Sequence, residues 1–137
     1  MANEAVPISI SSTLHPVRRT VADTPTIEKY TYLKLADPNT ASAATGTGEV
    51  FGGIAAFEKV ASDGSTNLSA YMDGVFDLYA SGATIAIGAA VTNSGANVIR
   101  TATEAEIAAG QWCGWAEEAS ASATPEMIRV RLRGEGI

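Results

Sequence analysis

Apolar and polar residues alternate along most of this chain, which is the period expected of strands. From Asn67 to Tyr79, Leu68, Ala70, Met72, Phe76 and Leu78 fall on one face, and Asn67, Ser69, Asp73 and Asp77 on the other. Successive strand side chains point to opposite faces, so this period of two predicts a half-buried antiparallel strand. Gly74 interrupts it and predicts a bulge or a close backbone approach. The alternation returns at Ile85, Ile87, Ala89 and Val91. It is clearest near the end, where Ile128, Val130 and Leu132 oppose Arg129, Arg131 and Arg133. Thr31-Tyr32-Leu33-Lys34-Leu35 is a short run of strand formers that stops at the turn residues Asp37-Pro38-Asn39. Val50 to Ala61 reads as a strand joined to the next through Asp63-Gly64, a hairpin signal. Residues 39–49, small and polar with Gly46 and Gly48, read as a loop. Asn93 to Asn97 turns the chain into Val98-Ile99-Arg100, and Gln111 to Ala119 returns to strand character.

One segment departs from this period. Thr103-Glu104-Ala105-Glu106 fits a capping box and Gly110 a helix stop. Two turns of helix need packing to persist. Seven or eight short strands, one helix and many turns predict a mainly β protein, a small antiparallel β-barrel or sandwich.

Residues 1–25 differ from the rest. Pro7, Pro16 and Pro25 hold their predecessors in extended conformations, and apolar residues stand singly among small polar ones. This segment reads as an extended N-terminal arm preceding a single β-rich domain, residues 26–137. About 20 stretched residues reach ~65 Å. Ile8, Ile10, Leu14 and Val17 are too many large apolar residues for a purely solvated tail, so the arm is expected to order on a partner. With Arg18 and Arg19 they form the candidate docking set.

The 137 residues are enough for one domain with one core. At 46% hydrophobic and 18% charged, the chain is too apolar for disorder and too lightly charged for a coiled coil. Much of the apolar fraction is alanine, so a thin core completed by contacts between subunits is expected. The net charge of −6 repels phosphate backbones, so nucleic acid is not an expected partner. No run approaches the ~18 apolar residues of a spanning helix, and no membrane partner is expected. Met1-Ala2-Asn3-Glu4 shows no cationic region and no apolar stretch follows, so no secretory signal is expected. The single cysteine, Cys113, excludes an intrachain disulfide and fits production in a reducing cytoplasm.

The search for catalytic chemistry finds little. Ser-His-Asp and Cys-His mechanisms need a histidine on rigid structure, and the only one is His15, in the arm. Cys113, between Trp112 and Gly114, reads as a small buried apolar residue. Glu117 and Glu118 are adjacent and point to opposite strand faces. Asp73 and Asp77 share a face but lie ~13 Å apart along an ideal strand, beyond the reach of a glycosidase pair. Gly46-Thr47-Gly48 lacks the following glycine or Gly-Lys of a phosphate loop. No enzyme activity, metal or cofactor is therefore expected. The Arg129/Arg131/Arg133 stripe is either a wet strand face or an interface to acidic residues of another subunit. Of Trp112 and Trp115, one is expected in the core and the other at an interface, where tryptophan is enriched. Trp115, Arg129, Arg131 and Arg133 are the candidate subunit-interface residues.

Four short segments, in order, resemble the capsid decoration (cement) proteins of tailed bacteriophages. They are Gly74-Val75-Phe76-Asp77-Leu78, Ile87-Gly88-Ala89-Ala90-Val91, Gly114-Trp115-Ala116-Glu117-Glu118-Ala119 and Ile128-Arg129-Val130-Arg131-Leu132. The resemblance spans roughly Val50 to Arg133. Where family members often carry an acidic residue and an aromatic, this chain has Ala89 and Thr92. The resemblance implies a β-tulip-like barrel that forms homotrimers on the outside of a capsid and stabilises the shell, with no cofactor. It implies the major capsid protein as partner, the arm adding a strand to it, and location on the virion surface. Two other readings stand beside it: a tail-tube or head-fibre component, and a glycan- or small-molecule-binding β-barrel using Tyr71 and Tyr79.

Overall fold

The computed structural model describes residues 3–9, 16–82, 84–121 and 125–134. Eleven strands run β1 (Val6–Ser9), β2 (Val17–Thr20), β3 (Tyr32–Ala36), β4 (Thr40–Ala43), β5 (Phe51–Ala55), β6 (Asn67–Tyr71), β7 (Val75–Ala80), β8 (Ala90–Gly95), β9 (Val98–Thr101), β10 (Gly114–Ala116) and β11 (Glu126–Leu132). Among the described residues there is one helix, α1 (Glu104–Ala108), between β9 and β10. The protein is mainly β, as the alternation predicts, but it contains two small barrels. Strands β2-β4-β3-β5-β6 close the first. The second is a sheet ordered β1-β7-β11-β10-β8-β9, in which a parallel β7–β9 pairing (Tyr79 with Val98, Ala80 with Ile99) closes a ring of five strands.

One core serves both barrels. Tyr32, Phe51, Ile54 and Met72 of the first pack with Phe76, Leu78, Val91, Ile99, Ile128 and Val130 of the second. The Tyr32 and Phe51 rings meet at 5.0 Å. A smaller cluster of Val21, Ile27, Leu33, Leu68 and three alanines, Ala41, Ala55 and Ala70, fills the first barrel. Burying each large side chain contributes ~1.5–3 kcal/mol.

The face of Leu68, Ala70, Met72, Phe76 and Leu78 is buried as its pattern predicts. These residues belong to two strands, however. The chain breaks at Gly74, whose φ of 115° admits a glycine far more readily than other residues, and passes from one barrel to the other. Residues 39–49 are only partly loop, because Thr40–Ala43 forms β4 and closes the first barrel beside β3 and β2. Its small residues have low strand propensity, but Ala41 opposite Leu35 is almost wholly buried, where a larger side chain would not pack. Ile87 lies in a turn and is 72% exposed, because the alternation around it begins as a strand only at Ala90.

The N-terminal segment also departs from expectation. The described part of residues 1–25 carries two extended strands, but these are built into the two sheets and do not form a separate arm. β1 pairs antiparallel with β7, and β2 pairs with β6 and β4. Without β2 the β6 and β4 edges would be left open, with their N–H and C=O groups unpaired. Ile10, Leu14 and His15 lie outside the described residues.

A polar clamp joins the barrels. Asn93 of β8 is fully buried, and its Nδ2 donates to the Gly46 carbonyl and to Glu49 Oε1, both at 2.9 Å. Its Oδ1 accepts from the Glu49 N–H at 2.9 Å. Burial would raise the Glu49 pKa, but the Gly46 N–H, Lys34 and Asn93 together hold it below its ordinary value. Beside it Arg100 donates in a fork to Glu106, at 2.8 and 2.6 Å, and also to Thr47 Oγ1. Glu106 completes the capping box with Thr103 at the start of α1.

Candidate interaction face

The register of four adjacent strands determines what the second barrel presents outward. On β11, Ile128, Val130 and Leu132 are buried, so Met127, Arg129 and Arg131 point out. On β7, Phe76, Leu78 and Ala80 are buried, so Val75, Asp77 and Tyr79 point out. Pairing sets these in rows. Val6 of β1 opposes Asp77, which opposes Arg129. Val75 opposes Arg131, which opposes Trp115 of β10. Tyr79 opposes Met127. Val6 and Ile8 are both more than 40% exposed, and Ile8 stands where the β1–β7 register shifts between Pro7 and Ser9, so it has no partner row on β7.

The outer face of β1-β7-β11-β10 thus carries Val6, Met127 and Trp115 exposed, with half-buried Val75 and Tyr79 between them, and Ile8 is exposed at the bulge of β1. Charges within it are mutually paired. Arg131 reaches Glu117 at 2.9 Å and Arg129 lies 4.0 Å from Asp77. Such exposed pairs contribute only ~0–1 kcal/mol to folding. They leave a face of locally neutral charge on a chain of net charge −6, suited to contact with another protein surface. Exposed apolar side chains interleaved with paired charges are a composition met at interaction surfaces, where tryptophan and methionine are enriched. β1 is also the terminal strand of its sheet, and its outer edge pairs with no strand among the described residues. An open edge is a template for an added strand.

A groove of about 300 Å³ continues from Trp115, lined by Ile107, Ala108, Gly110, Trp112 and Arg133. The two indoles meet edge to face at 5.0 Å, and the Arg133 guanidinium sits 5.4 Å from the Trp112 ring. Neither tryptophan enters the core, contrary to expectation. The reason is Gly114: a Cβ there would lie 2.0 Å from the Arg131 carbonyl, so β10 lies too close to β11 for bulky inward side chains, and small Gly114 and Ala116 face inward.

The residues proposed from sequence separate into distinct places. Trp115, Arg129 and Arg131 share the outer face, and Arg133 lies in the adjoining groove. Ile8 is exposed at the bulge of β1, whereas Val17, Arg18 and Arg19 are in the first barrel. Val17 packs against the core. Arg19 is tied to the Gly52 carbonyl, Asn39 and Met72, so it holds the barrel together. Tyr71 is not an open aromatic platform, since its ring packs on Phe76 at 5.9 Å. Sequence reasoning missed Val6 and Met127; for Met127 the parity with Arg129 carries the signal, whereas the bulge in β1 breaks any parity between Val6 and Ile8. Cys113 is fully buried, and desolvation pushes its thiol up to about 12. Among the described residues no three His, Cys, Asp or Glu side chains are grouped to hold a metal ion, and no helix is long and apolar enough to cross a membrane.

Fold and face together define a double-barrel β protein with an apolar, charge-balanced outer surface. The chain matches no protein-family model and no curated protein.

Proposed function

We propose that this chain is a virion structural protein of the capsid decoration class, binding the outside of a phage capsid as a homotrimer and stabilising the shell. The observation that carries this reading is the outer face of the second barrel, where Val6, Met127 and Trp115 stand exposed and Ile8 is exposed at the bulge of β1. Three of the four segments that resemble decoration proteins supply strands of that face: β7, β10 and β11. The free edge of β1 is the place where a strand of the major capsid protein would add. The reading assigns the protein a binding role, with no catalytic step and no cofactor.

Burying a few exposed apolar side chains at ~1.5–3 kcal/mol each is enough to offset the ordering of a short added strand, which costs ~1–2 kcal/mol per residue against ~0.5–1.5 returned per hydrogen bond. A trimer engaging three sites together gains a further ~10²–10⁴ in avidity. The experiment is co-sedimentation with purified, expanded, DNA-free capsids of the virus that encodes the chain. Wild-type protein should saturate the capsids, and Met127→Glu or Ile8→Glu should lose binding while remaining folded. Failure of the wild-type protein to sediment with such capsids would refute the decoration reading. Rings or tubes formed without capsids would favour the tail-tube or head-fibre reading.

A further inference from the structure

The first barrel carries a second concavity that shares no residue with the face described above. It is a cleft of about 290 Å³ between the outward side of β2–β6 and the chain that follows β5. Arg18 opposes Ser69 across β2–β6, and Thr20 opposes Asn67, so Arg18, Ser69 and Asn67 project on the same side. The following chain is pinned there by the Ala56 N–H on the Ser69 carbonyl at 2.8 Å. It is pinned again where Lys59 and Ile27 exchange backbone hydrogen bonds. Phe57 is thereby held at the rim, 59% exposed.

The floor is rigid and already satisfied. Lys59 is 2% exposed, and its ammonium donates to the Asp23 and Val60 carbonyls and to Asp63 Oδ1. Its three protons are used, and the Asp23 and Asp63 carboxylates more than offset its charge, one ammonium against two carboxylates. The rim is different. Among the described residues, the side chains of Arg18, Glu58, Asn67 and Ser69 make no hydrogen bond or ion pair, yet all four line the cleft beside the Phe57 ring.

This composition selects a ligand class. A flat, exposed hydrocarbon ring stands next to a mixed set of donors and acceptors, one cation and one anion, over a floor in which two carboxylates face one ammonium. A phosphate or polyanion would meet Glu58 and Asp63, and a polycation would meet Arg18. A ring with an apolar C–H face and hydroxyls around its edge matches both parts. We propose that this cleft binds a neutral hexopyranose, with Phe57 under the C–H face of the sugar and Arg18, Glu58, Asn67 and Ser69 on its hydroxyls. Its volume lies at the small end of the ~300–1,000 Å³ of ligand pockets, which suits one or two sugar rings. The proposal stands whether or not the capsid reading does.

The test is amide NMR titration of the full chain with D-glucose, D-galactose and N-acetyl-D-glucosamine, with inorganic phosphate as a control. At least one sugar should give saturable shifts centred on Arg18, residues 57–59 and residues 65–69, with Kd on the order of 1 mM. Phe57→Ala should weaken binding at least about tenfold, and Asn67→Ala should weaken it to a smaller extent. Both residues are exposed, and the variants' own spectra report that they are folded. The proposal is overturned if none of the sugars moves these amides at millimolar concentrations. It is also overturned if Phe57→Ala binds as wild type does, or if only phosphate binds, which would make this an anion site at Arg18.

Discussion

Replacing Asn93 by alanine tests how the two barrels are held together. The side chain is fully buried and makes three hydrogen bonds, to the Gly46 carbonyl, the Glu49 carboxylate and the Glu49 N–H, all at 2.9 Å. Each contributes ~0.5–1.5 kcal/mol net, and the one to a charged acceptor ~1.5–3. Gly46 is exposed and Glu49 half-buried, so water can rehydrate part of what the substitution uncovers. The expected loss is about 2–4 kcal/mol, a large fraction of the ~5–15 kcal/mol of a typical domain. Urea denaturation followed by tryptophan fluorescence reads it directly. With a slope of ~1–3 kcal/mol per molar, the midpoint should fall by roughly 1–2 M. Asn93→Asp should be worse at neutral pH, because it sets a second carboxylate against Glu49 and removes the donor. That excess should shrink as the pH falls and one carboxyl protonates. A loss below about 0.5 kcal/mol for Asn93→Ala would show that the clamp does not join the barrels and would refute the reasoning.

Glu106 makes a second prediction. Hydrogen bonding from Arg100, then from the Thr103 N–H, depresses its pKa from 4.5 to about 2. A depressed carboxyl stabilises the fold fully above pH 4.5 and loses that contribution as the pH falls through about 2. Glu106→Gln should therefore be less stable than wild type at pH 7, with the gap closing between pH 4.5 and 2; a gap independent of pH would contradict this. Cys113 gives a third. With its thiol at about 12 instead of 9.0, roughly 1,000-fold less thiolate exists at pH 8, and the sulfur is buried besides. A disulfide reagent should label it only after denaturation, and native labelling at the denatured rate would show that the core opens. Gly114→Ala gives a fourth. Its Cβ would lie 2.0 Å from the Arg131 carbonyl, so β10 and β11 must separate, at a cost of ~3 kcal/mol or more in thermal or urea unfolding. Unchanged stability would mean that the close β10–β11 approach is not required.

The strand pattern was legible wherever one face is buried and the other wet. β11 and the Leu68-to-Leu78 face follow directly from alternation, and α1 from its capping box and Gly110. β4 was hidden because alanine and serine carry no strand signal, and only its partners make it one. The closure of two barrels was equally hidden, since β2–β4 and β7–β9 are parallel pairings between segments distant in sequence. The same limit explains the reading of residues 1–25 as a separate arm. Their extended character is local, whereas their pairing with β7 and β6 is not. Parity on β11 gave Arg129 and Arg131 their outward place, but only the register across β7 and β10 shows that they share a face with Val6 and Trp115. The Phe57 cleft leaves no sequence signature, because Arg18 lies far from Phe57 in the chain and meets it only when β2 pairs with β6.

The central claim is that the outer face of the second barrel packs against protein. Light scattering after size exclusion tests it most directly, comparing wild type with Trp115→Glu/Met127→Glu. The account predicts a discrete wild-type particle of about 42 kDa, three times the 14.1 kDa of one chain, and a folded monomer for the double variant. A wild-type protein that stays monomeric at all concentrations and on mixing with capsids, or a variant that assembles unchanged, would contradict it.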